Sequence, residues 1–559
     1  MRLVECVPNF SEGRNPAVID AIAAAIKDTE GAWLLDVDPG KETNRTVVTF
    51  VADYDAAVRA AFNAIETASR LIDMRKHTGA HPRMGATDVC PFVPVRGVTM
   101  EDCAALARAL GKRVGEELGI PVYLYEYAAA SEERRNLANV RAGEYEGLEK
   151  KLADPQWKPD FGPAELNAKS GATVVGARKF LIAYNVNLNT KDRKLANDIA
   201  FSIREAGRAK RDDNGNLVRD ENGGKVNVPG TLKACKAVGW YIPEYKRAQV
   251  SINLVDYHVT APHTAFDEAK RQAEALGVRV TGSELVGLIP LEAMLLAGKH
   301  YLTLQGKSTG VPEKELIESA IQSLGLNDIS PFDPKQKIIE YRVAGPSVLV
   351  DSTVRDFVDE TSVDSPVPGG GSVSALMGSL ACALSSMVAN LTAGKKGYEE
   401  ADEEMKKVAA KAQELKDALL RAVDDDSNAF DEVMAAMKLP KKTDDEIRRR
   451  QEALETATKK AVDVPLSVVG WCADAVDLVD AVAKKGNRNS ISDAGVAALA
   501  LRAAAAGAAL NVLINLPGLA DKTYVGRTRR KTADLSARVG SRCTEIYEYV
   551  LGRLEKGFD

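Results

Sequence analysis

The sequence lacks several features that would place it quickly. Its seven cysteines are scattered, odd in number and form no CxxC pair, which argues against a disulfide framework and against a structural zinc site. A reduced, cytoplasmic compartment is the simplest expectation. The start, "MRLVECVPNF", has no apolar run after its single arginine, so no secretory signal is read there. No apolar stretch approaches the roughly 20 residues that span a bilayer. Charge of one sign is also missing: 74 Lys and Arg face 79 Asp and Glu, a net of −5, which gives no global attraction to nucleic acid or anionic lipid. Local basic clusters can still hold an anionic ligand. What remains is an ordinary globular composition, 45 % apolar and 27 % charged, in a chain of 559 residues that is too long for one core. Two to four domains are expected.

The texture of the chain changes once. Residues 1 to about 325 alternate short β-branched runs with amphipathic helical patterns. "TVVTFVADYDAAVRAAFNAIETASRLI" (46–72) reads as strand, turn and helix, with a stripe of Ala57, Val58, Ala61, Phe62, Ile65 and Ala68. A similar unit recurs at 248–278, and before each lies a strand running into asparagine, "VECVPNFSEG" (4–13) and "FLIAYNVNLNT" (180–190). This echo suggests two related α/β lobes with mixed sheets, 1–178 and 179–325. The proline-bearing stretch 326–348 reads as a linker. From 349 to 559 alanine dominates and helical periodicity persists, so an all-helical bundle is expected. The fold class is therefore α/β plus all-α.

Two of the five histidines stand four apart in "HTGAHPRMGATDVCPFVPV" (77–95). On a helix, His77 and His81 would share a face, as in HExxH metal sites. Gly79 between them, Pro82 after them and the missing carboxylate argue for a loop and against a metal. Two readings stay open: a histidine hydrogen-bonded beneath the loop, or an acid–base group carried on a loop before a strand.

Longer motifs bear on that choice. "VPNFSEGRN" (7–15), "LLDVDPGKETNRTVVTFVA" (34–52), 77–95, "GARKFLIAYNVNL" (176–188) and "GSELVGLIPLEAM" (282–294) resemble the glutamate formiminotransferase family. The helical half, with "SPVPGGGSVSALMGSLACALSSMVANLT" (365–392), "VDDDSNAFDEVMAAMKLPK" (423–441) and "NVLINL" (511–516), is similar to formimidoyltetrahydrofolate cyclodeaminase. The order is that of the bifunctional formiminotransferase-cyclodeaminases.

The resemblance implies transfer of a formimino group from N-formimino-L-glutamate to N5 of tetrahydrofolate, then closure to 5,10-methenyltetrahydrofolate with release of ammonia, in histidine degradation and one-carbon metabolism. Amine attack on an amidine carbon requires one nitrogen to lose a proton and another to gain one, and a single histidine can do both without a metal. The family's general base matches His81; His77 orients it or satisfies the loop. Asp36 and Asp38 point the same way if their strand continues. Asp38 is then a candidate for holding the amidinium or the histidine, or it caps a turn. The family's folate-binding stretch matches Gly162, Pro163, Ala164, Glu165, Leu166, Asn167, Ala168, Lys169, Ser170 and Gly171, with Trp157 and Phe161 expected nearby. Tetrahydrofolate, in polyglutamylated form, is the implied cosubstrate, no metal is implied, and a homo-oligomer, a ring of dimers, is the implied assembly. No nucleic acid or membrane partner is expected.

The second site can be read from periodicity. Met405, Ala412, Leu419, Asp426 and Val433 fill one heptad position, and Val408, Leu415, Ala422, Ala429 and Ala436 fill its partner. Asp426 therefore occupies a core slot, with Asp424 on the solvent face and Asp425 beside the seam. A desolvated carboxyl has a raised pKa and can protonate departing ammonia. It can equally be a buried partner for a cation. The family's cyclodeaminase residue also matches Asp426. "PGGGS" (368–372) can receive an anion at a helix N-terminus or serve close packing, and Arg488 is available for a folate carboxylate. Two other functions remain in view: a formyl donor with a cyclohydrolase-like second half, and a folate-binding scaffold without turnover.

Overall fold

The computed structural model describes residues 2–41, 43–79, 81–212, 214–221, 223–343 and 349–557. The chain divides into two compact units, Met1–Met294 with Ile321–Val343, and Leu295–Ala320 with Ala344–Asp559.

The first unit opens with β1 (Leu3–Cys6), β2 (Asn9–Phe10), helix α1 (Pro16–Lys27), β3 (Ala32–Gly40), β4 (Arg45–Asp53) and α2 (Tyr54–Leu71). It continues through β5 (Thr87–Arg96), α3 (Met100–Leu118), β6 (Val122–Glu126), three short helices, α4 (Glu132–Arg135), α5 (Leu137–Arg141) and α6 (Leu148–Leu152), and β7 (Thr173–Ala177). β1 and β2 both pair with β4 and β5, β3 extends the sheet beyond β4, and β7 and β6 join in parallel. The sheet is mixed. The helical stripe read from sequence is buried at Ala57, Ala61, Phe62, Ile65 and Ala68, packed on Val48, Phe50 and Ala52 of β4. Alternation along β4 then leaves Arg45, Val47, Thr49 and Val51 on the opposite face.

The second lobe carries β8 (Ile182–Leu188), α7 (Arg193–Ile203), β9 (Arg208–Ala209), β10 (Asn227–Val228), β11 (Cys235–Ile242), β12 (Arg247–Leu254), α8 (Pro262–Ala275) and β13 (Val280–Val286). Its four-stranded sheet, β11-β12-β8-β13, is antiparallel throughout. Between β9 and β10 run two eight-residue copies, "RDDNGNLV" and "RDENGGKV", a repeat that the sequence reading passed over. Each copy turns at a glycine with positive φ, Gly215 and Gly223, and in each the leading arginine donates to that glycine's carbonyl.

Two boundaries differ from expectation. The stretch read as a linker forms α11 (Pro334–Lys337) and α12 (Ile339–Val343), after α9 (Leu291–Leu304) and α10 (Glu313–Leu324), and Ile338 and Ile339 are fully buried. Apolar residues between the prolines give it a core of its own; residues 344–348 of that stretch lie outside the described residues. Residues 295–320, expected in the second lobe, group with the helical unit. There Gly310 lies so close to Ala409 that a Cβ would meet it at 2.3 Å, and its carbonyl accepts from Ser386 and Asn390.

The helical unit is built from α13 (Val354–Thr361), α14 (Gly370–Thr392), α15 (Asp402–Met437), α16 (Asp444–Lys485), α17 (Ile491–Asn515) and α18 (Lys522–Lys556). The predicted seam on α15 is buried at Met405, Val408, Ala412, Leu415, Leu419, Ala422, Ala429 and Ala436. By length and composition two stretches, Gly370–Thr392 and Arg488–Gly518, could cross a membrane, against the expectation of no such run. Interspersed glycine, serine and alanine hid them from a search for unbroken apolar residues. Here they are helices of the bundle, and 61 % of the α14 window is buried. All seven cysteines are free and buried.

Candidate functional site

At one edge of the first sheet three separate stretches of sequence meet. The Arg45 guanidinium donates from Nε to Asn9 Oδ1 at 2.9 Å, and from Nη2 to the same oxygen. Its Nη1 lies 3.6 Å from Asp88 Oδ2. Asp88 is 1 % exposed, accepts the Met84 N–H at 3.0 Å, and is held in two places by Arg141. Burial lowers the Arg45 pKa to about 10, with Asp88 opposing the shift, so the guanidinium stays charged near neutrality.

His81 sits on this cluster. Its Nδ1 is 2.6 Å from Pro82 O, and since a carbonyl only accepts, Nδ1 carries the hydrogen. Its Nε2 is 2.6 Å from Arg45 Nη1, which only donates, so Nε2 is the unprotonated nitrogen. Nη1 also lies 2.5 Å from Nδ1; the two roles conflict, and the Pro82 contact decides between them. Burial first, then the Arg45 charge, depress the His81 pKa. The ring is therefore a neutral base at neutral pH, its lone pair capped by a guanidinium.

His77 is engaged elsewhere. Nε2 donates to Asn44 O at 2.8 Å and Nδ1 accepts from Arg83 Nε at 3.3 Å. Both nitrogens are used in pinning the loop, which leaves no lone pair for a metal. Among the described residues no group of three or more His, Cys, Asp or Glu side chains has metal-binding geometry. A cavity of about 520 Å³ is lined by His77, Thr78, Gly79, Arg83, Gly143, Glu144 and Glu146.

Asp38 lies on β3, which does continue to Gly40. Across the sheet Asp38 pairs with Val47 and Val47 with Asn9, so Asp38 shares the face that carries Arg45. Its side chain is exposed. The expectation that it might hold the histidine is corrected: the ring is held by Arg45 and Pro82.

The 162–171 stretch is tied down mainly at its two ends. Gly162 at φ 83° packs under Gly115 and Ile120, and Gly171 at φ 70° packs on Met84 and Gly85. Ser170 O accepts the Ala86 N–H, and Ala168 O accepts from Tyr145 OH. Its final turn is thus fixed to the loop that carries His81, whereas Pro163, Ala164 and Glu165 are exposed. The aromatics expected beside it are engaged in packing: Phe161 against Gly111, and Trp157 edge-on to Tyr123 with Lys151 over its ring.

In the helical unit Asp426 is half-buried on α15, facing the first turn of α14. The Ser372 backbone and hydroxyl both hydrogen-bond it, the hydroxyl at 3.4 Å, while desolvation outweighs them and raises its pKa. The glycine-rich turn thus receives an anion as expected, but the anion is the chain's own carboxylate. A cavity of about 520 Å³ opens beside it, lined among others by Pro368, Asp424, Ser427 and Asp431. Asp424, expected in solvent, is half-buried and accepts the Leu349 N–H at 2.9 Å, because the chain at 349–352 covers that side of α15. Asp425 is exposed.

Known proteins match both units. Family models described as "Formiminotransferase domain, N-terminal subdomain", "Formiminotransferase domain" and "Formiminotransferase-cyclodeaminase" match residues 3–178, 183–344 and 353–534. The rat formimidoyltransferase-cyclodeaminase is 45 % identical over 99 % of both chains. The chain belongs to the formiminotransferase-cyclodeaminase family. A glutamate formimidoyltransferase of Streptococcus pyogenes is 41 % identical over 54 % of this chain and 94 % of its own. A methenyltetrahydrofolate cyclohydrolase of Methylorubrum extorquens is 42 % identical over 36 % of this chain and 97 % of its own. A solved formiminotetrahydrofolate cyclodeaminase of Thermotoga maritima covers 36 % of the chain at 30 % identity and TM-score 0.33.

In this formiminotransferase-cyclodeaminase the sequence reading missed Arg45, Asp88 and Arg141. Asp88 could have been noticed: it is the only charged residue in the otherwise apolar strand "TDVCPFVPV". Arg141, from a distant short helix, left no local signal.

Proposed function

We propose that the chain moves the formimino group of N-formimino-L-glutamate to tetrahydrofolate in its α/β lobes, and closes the product to 5,10-methenyltetrahydrofolate in its helical half. N5 of the folate attacks the formimino carbon. His81 Nε2 takes the N5 proton and returns it to the departing glutamate nitrogen, and Asp38 balances the amidinium charge. In the second step N10 attacks the same carbon. Asp426, entering protonated, gives its proton to the leaving nitrogen, which departs as ammonia, and recovers one from N10. The 162–171 stretch holds the folate, polyglutamylated in the cell, and the enzyme works in the cytoplasm as a homo-oligomer, a ring of dimers, within histidine degradation.

One observation carries this reading: two proton carriers of opposite bias stand in separate units, an imidazole whose pKa is depressed and a carboxyl whose pKa is raised. Either bias alone fits many sites; the pair fits a base-first transfer followed by an acid-assisted elimination.

The test uses the full chain. His81→Ala removes transfer and leaves cyclodeamination of added 5-formiminotetrahydrofolate intact. Asp426→Asn does the reverse. Ammonia release then separates this reading from a formyl donor with a cyclohydrolase-like second half, which liberates none. A protein that binds tetrahydrofolate without turnover would sink both steps.

A further inference from the structure

One face of the second sheet is covered by α7 and α8; the other is open and unusually polar. Cross-strand pairing lays two rows along that open face. The first runs Trp240, Gln249, Asn187 and Gly282, and the second runs Val238, Ser251, Asn185 and Glu284. Gln249 and Asn187 are fully buried and Asn185 is 4 % exposed. They are linked: Trp240 Nε1 donates to Gln249 Oε1 at 2.9 Å, and Gln249 Nε2 donates to Asn187 Oδ1 at 2.7 Å and Glu284 Oε2 at 3.2 Å. Asn185 donates to the same Glu284 oxygen at 3.3 Å, and Tyr245 OH donates to Oε1 at 3.0 Å.

The two carboxylates joined to this network are treated differently. Asp328 meets a cation, Arg247. The donors holding Glu284 are a phenol and two amides, all neutral, and they fill three of its roughly four acceptor positions. A half-buried carboxylate, fixed in orientation from three sides and still able to accept, is built to receive a donor from outside. Charge-assisted, two-point pairing is the strongest form such a contact takes.

We infer that Glu284, presented between Asn185 and Tyr245 on the open face of the second sheet, binds a planar N–C–N edge bearing two N–H donors. Two groups carry that edge in the reaction proposed above, on which this inference rests: the formimino end of the donor, and the 2-amino-pyrimidine edge of the pterin. Trp240, 39 % exposed at the far end of the adjoining row, extends the platform with a flat apolar surface.

Steady-state transfer by the full chain, varying each substrate in turn, tests it on Glu284→Gln and Tyr245→Phe. Glu284→Gln is expected to raise one KM by about 10- to 100-fold. Tyr245→Phe should raise the same KM several-fold, having only loosened the carboxylate. A rise for N-formimino-L-glutamate assigns the amidine, and a rise for tetrahydrofolate assigns the pyrimidine. If Glu284→Gln fails to fold, the Tyr245→Phe result decides alone. Both KM values within twofold of wild type, whatever the change in melting temperature, overturn the inference and leave Glu284 as sheet architecture. Absence of transfer in the wild type defeats the proposed function instead, and calorimetric titration of each substrate into wild type and Tyr245→Phe then reads the site directly, with equal binding by the two overturning it.

Discussion

Gly371 and Asp426 touch at a point where no side chain fits: a Cβ on the glycine would stand 2.1 Å from Asp426 Oδ1 and 2.4 Å from its Cγ. The glycine is helical, so alanine strains no backbone torsion there. The consequence of Gly371→Ala falls on the carboxylate, which must leave the α14 turn and lose the Ser372 contacts. Displacement of a reacting group by about 1 Å can cost on the order of 10²-fold in rate. The variant is expected to lose cyclodeamination by that order while formimino transfer, assayed separately, stays near wild type.

The two half-reactions should respond oppositely to pH. His81 works unprotonated and its pKa is depressed, so transfer persists below the ordinary histidine range and fails only as pH falls through that lowered value. Asp426 must enter protonated and its pKa is raised, so cyclodeamination weakens as pH rises through that raised value. Separate pH profiles of kcat for each step check this. Parallel profiles would contradict the two-carrier account.

Much of this was legible beforehand, and the reasons differ by element. The stripe on α2 and the seam on α15 follow from periodicity, since each side chain's burial is set by its place on the helix. Asp426 stood out because a charge interrupted that seam. The cluster around His81 was half visible: its histidine sits in a distinctive loop, but Arg45 and Arg141 reach it from 36 and 53 positions away from His81 and Asp88 respectively. Local pattern carries no information about such contacts. The linker reading failed for a related reason, because prolines signal turns whether or not the intervening isoleucines are buried.

Asp88 holds two guanidinium groups in a site where it is 1 % exposed. Asp88→Asn leaves Arg45 and Arg141 facing each other without a counter-charge. Breaking a buried ion pair this way typically costs about 3–5 kcal/mol. A fall in the unfolding temperature of the α/β unit is expected, together with weaker transfer, because Arg45 is also what positions the His81 ring. The helical unit's transition, followed in the same calorimetric scan, should not move.

Glu5 offers a linkage test away from either reaction centre. It is 4 % exposed on β1, and burial pushes its pKa up to about 7, with Arg178 opposing and Glu340 reinforcing the shift. The folded state thus favours the protonated form. Its contribution is present below the unfolded carboxyl range and is lost as pH rises through about 7. Glu5→Gln removes that dependence. Relative to wild type the variant should gain stability with rising pH, to a plateau of at most about 3 kcal/mol, as read from denaturant midpoints in acid and alkaline buffer.

His77 and His81 should separate cleanly by substitution although they are four residues apart. His77 spends both nitrogens on Asn44 and Arg83, so His77→Asn removes a loop anchor and at least one hydrogen bond, worth about 1 kcal/mol. Its effect should be a modest fall in stability and a transfer rate reduced less than tenfold. His81→Asn keeps a polar side chain of similar reach but no base, and loss of a positioned base typically costs about 10²- to 10⁴-fold. Adding imidazole should restore part of the rate to His81→Gly and none to His77→Gly, because only the first vacates the position of a proton carrier. Equal rescue of both would show that the loop, and not the ring at position 81, limits transfer.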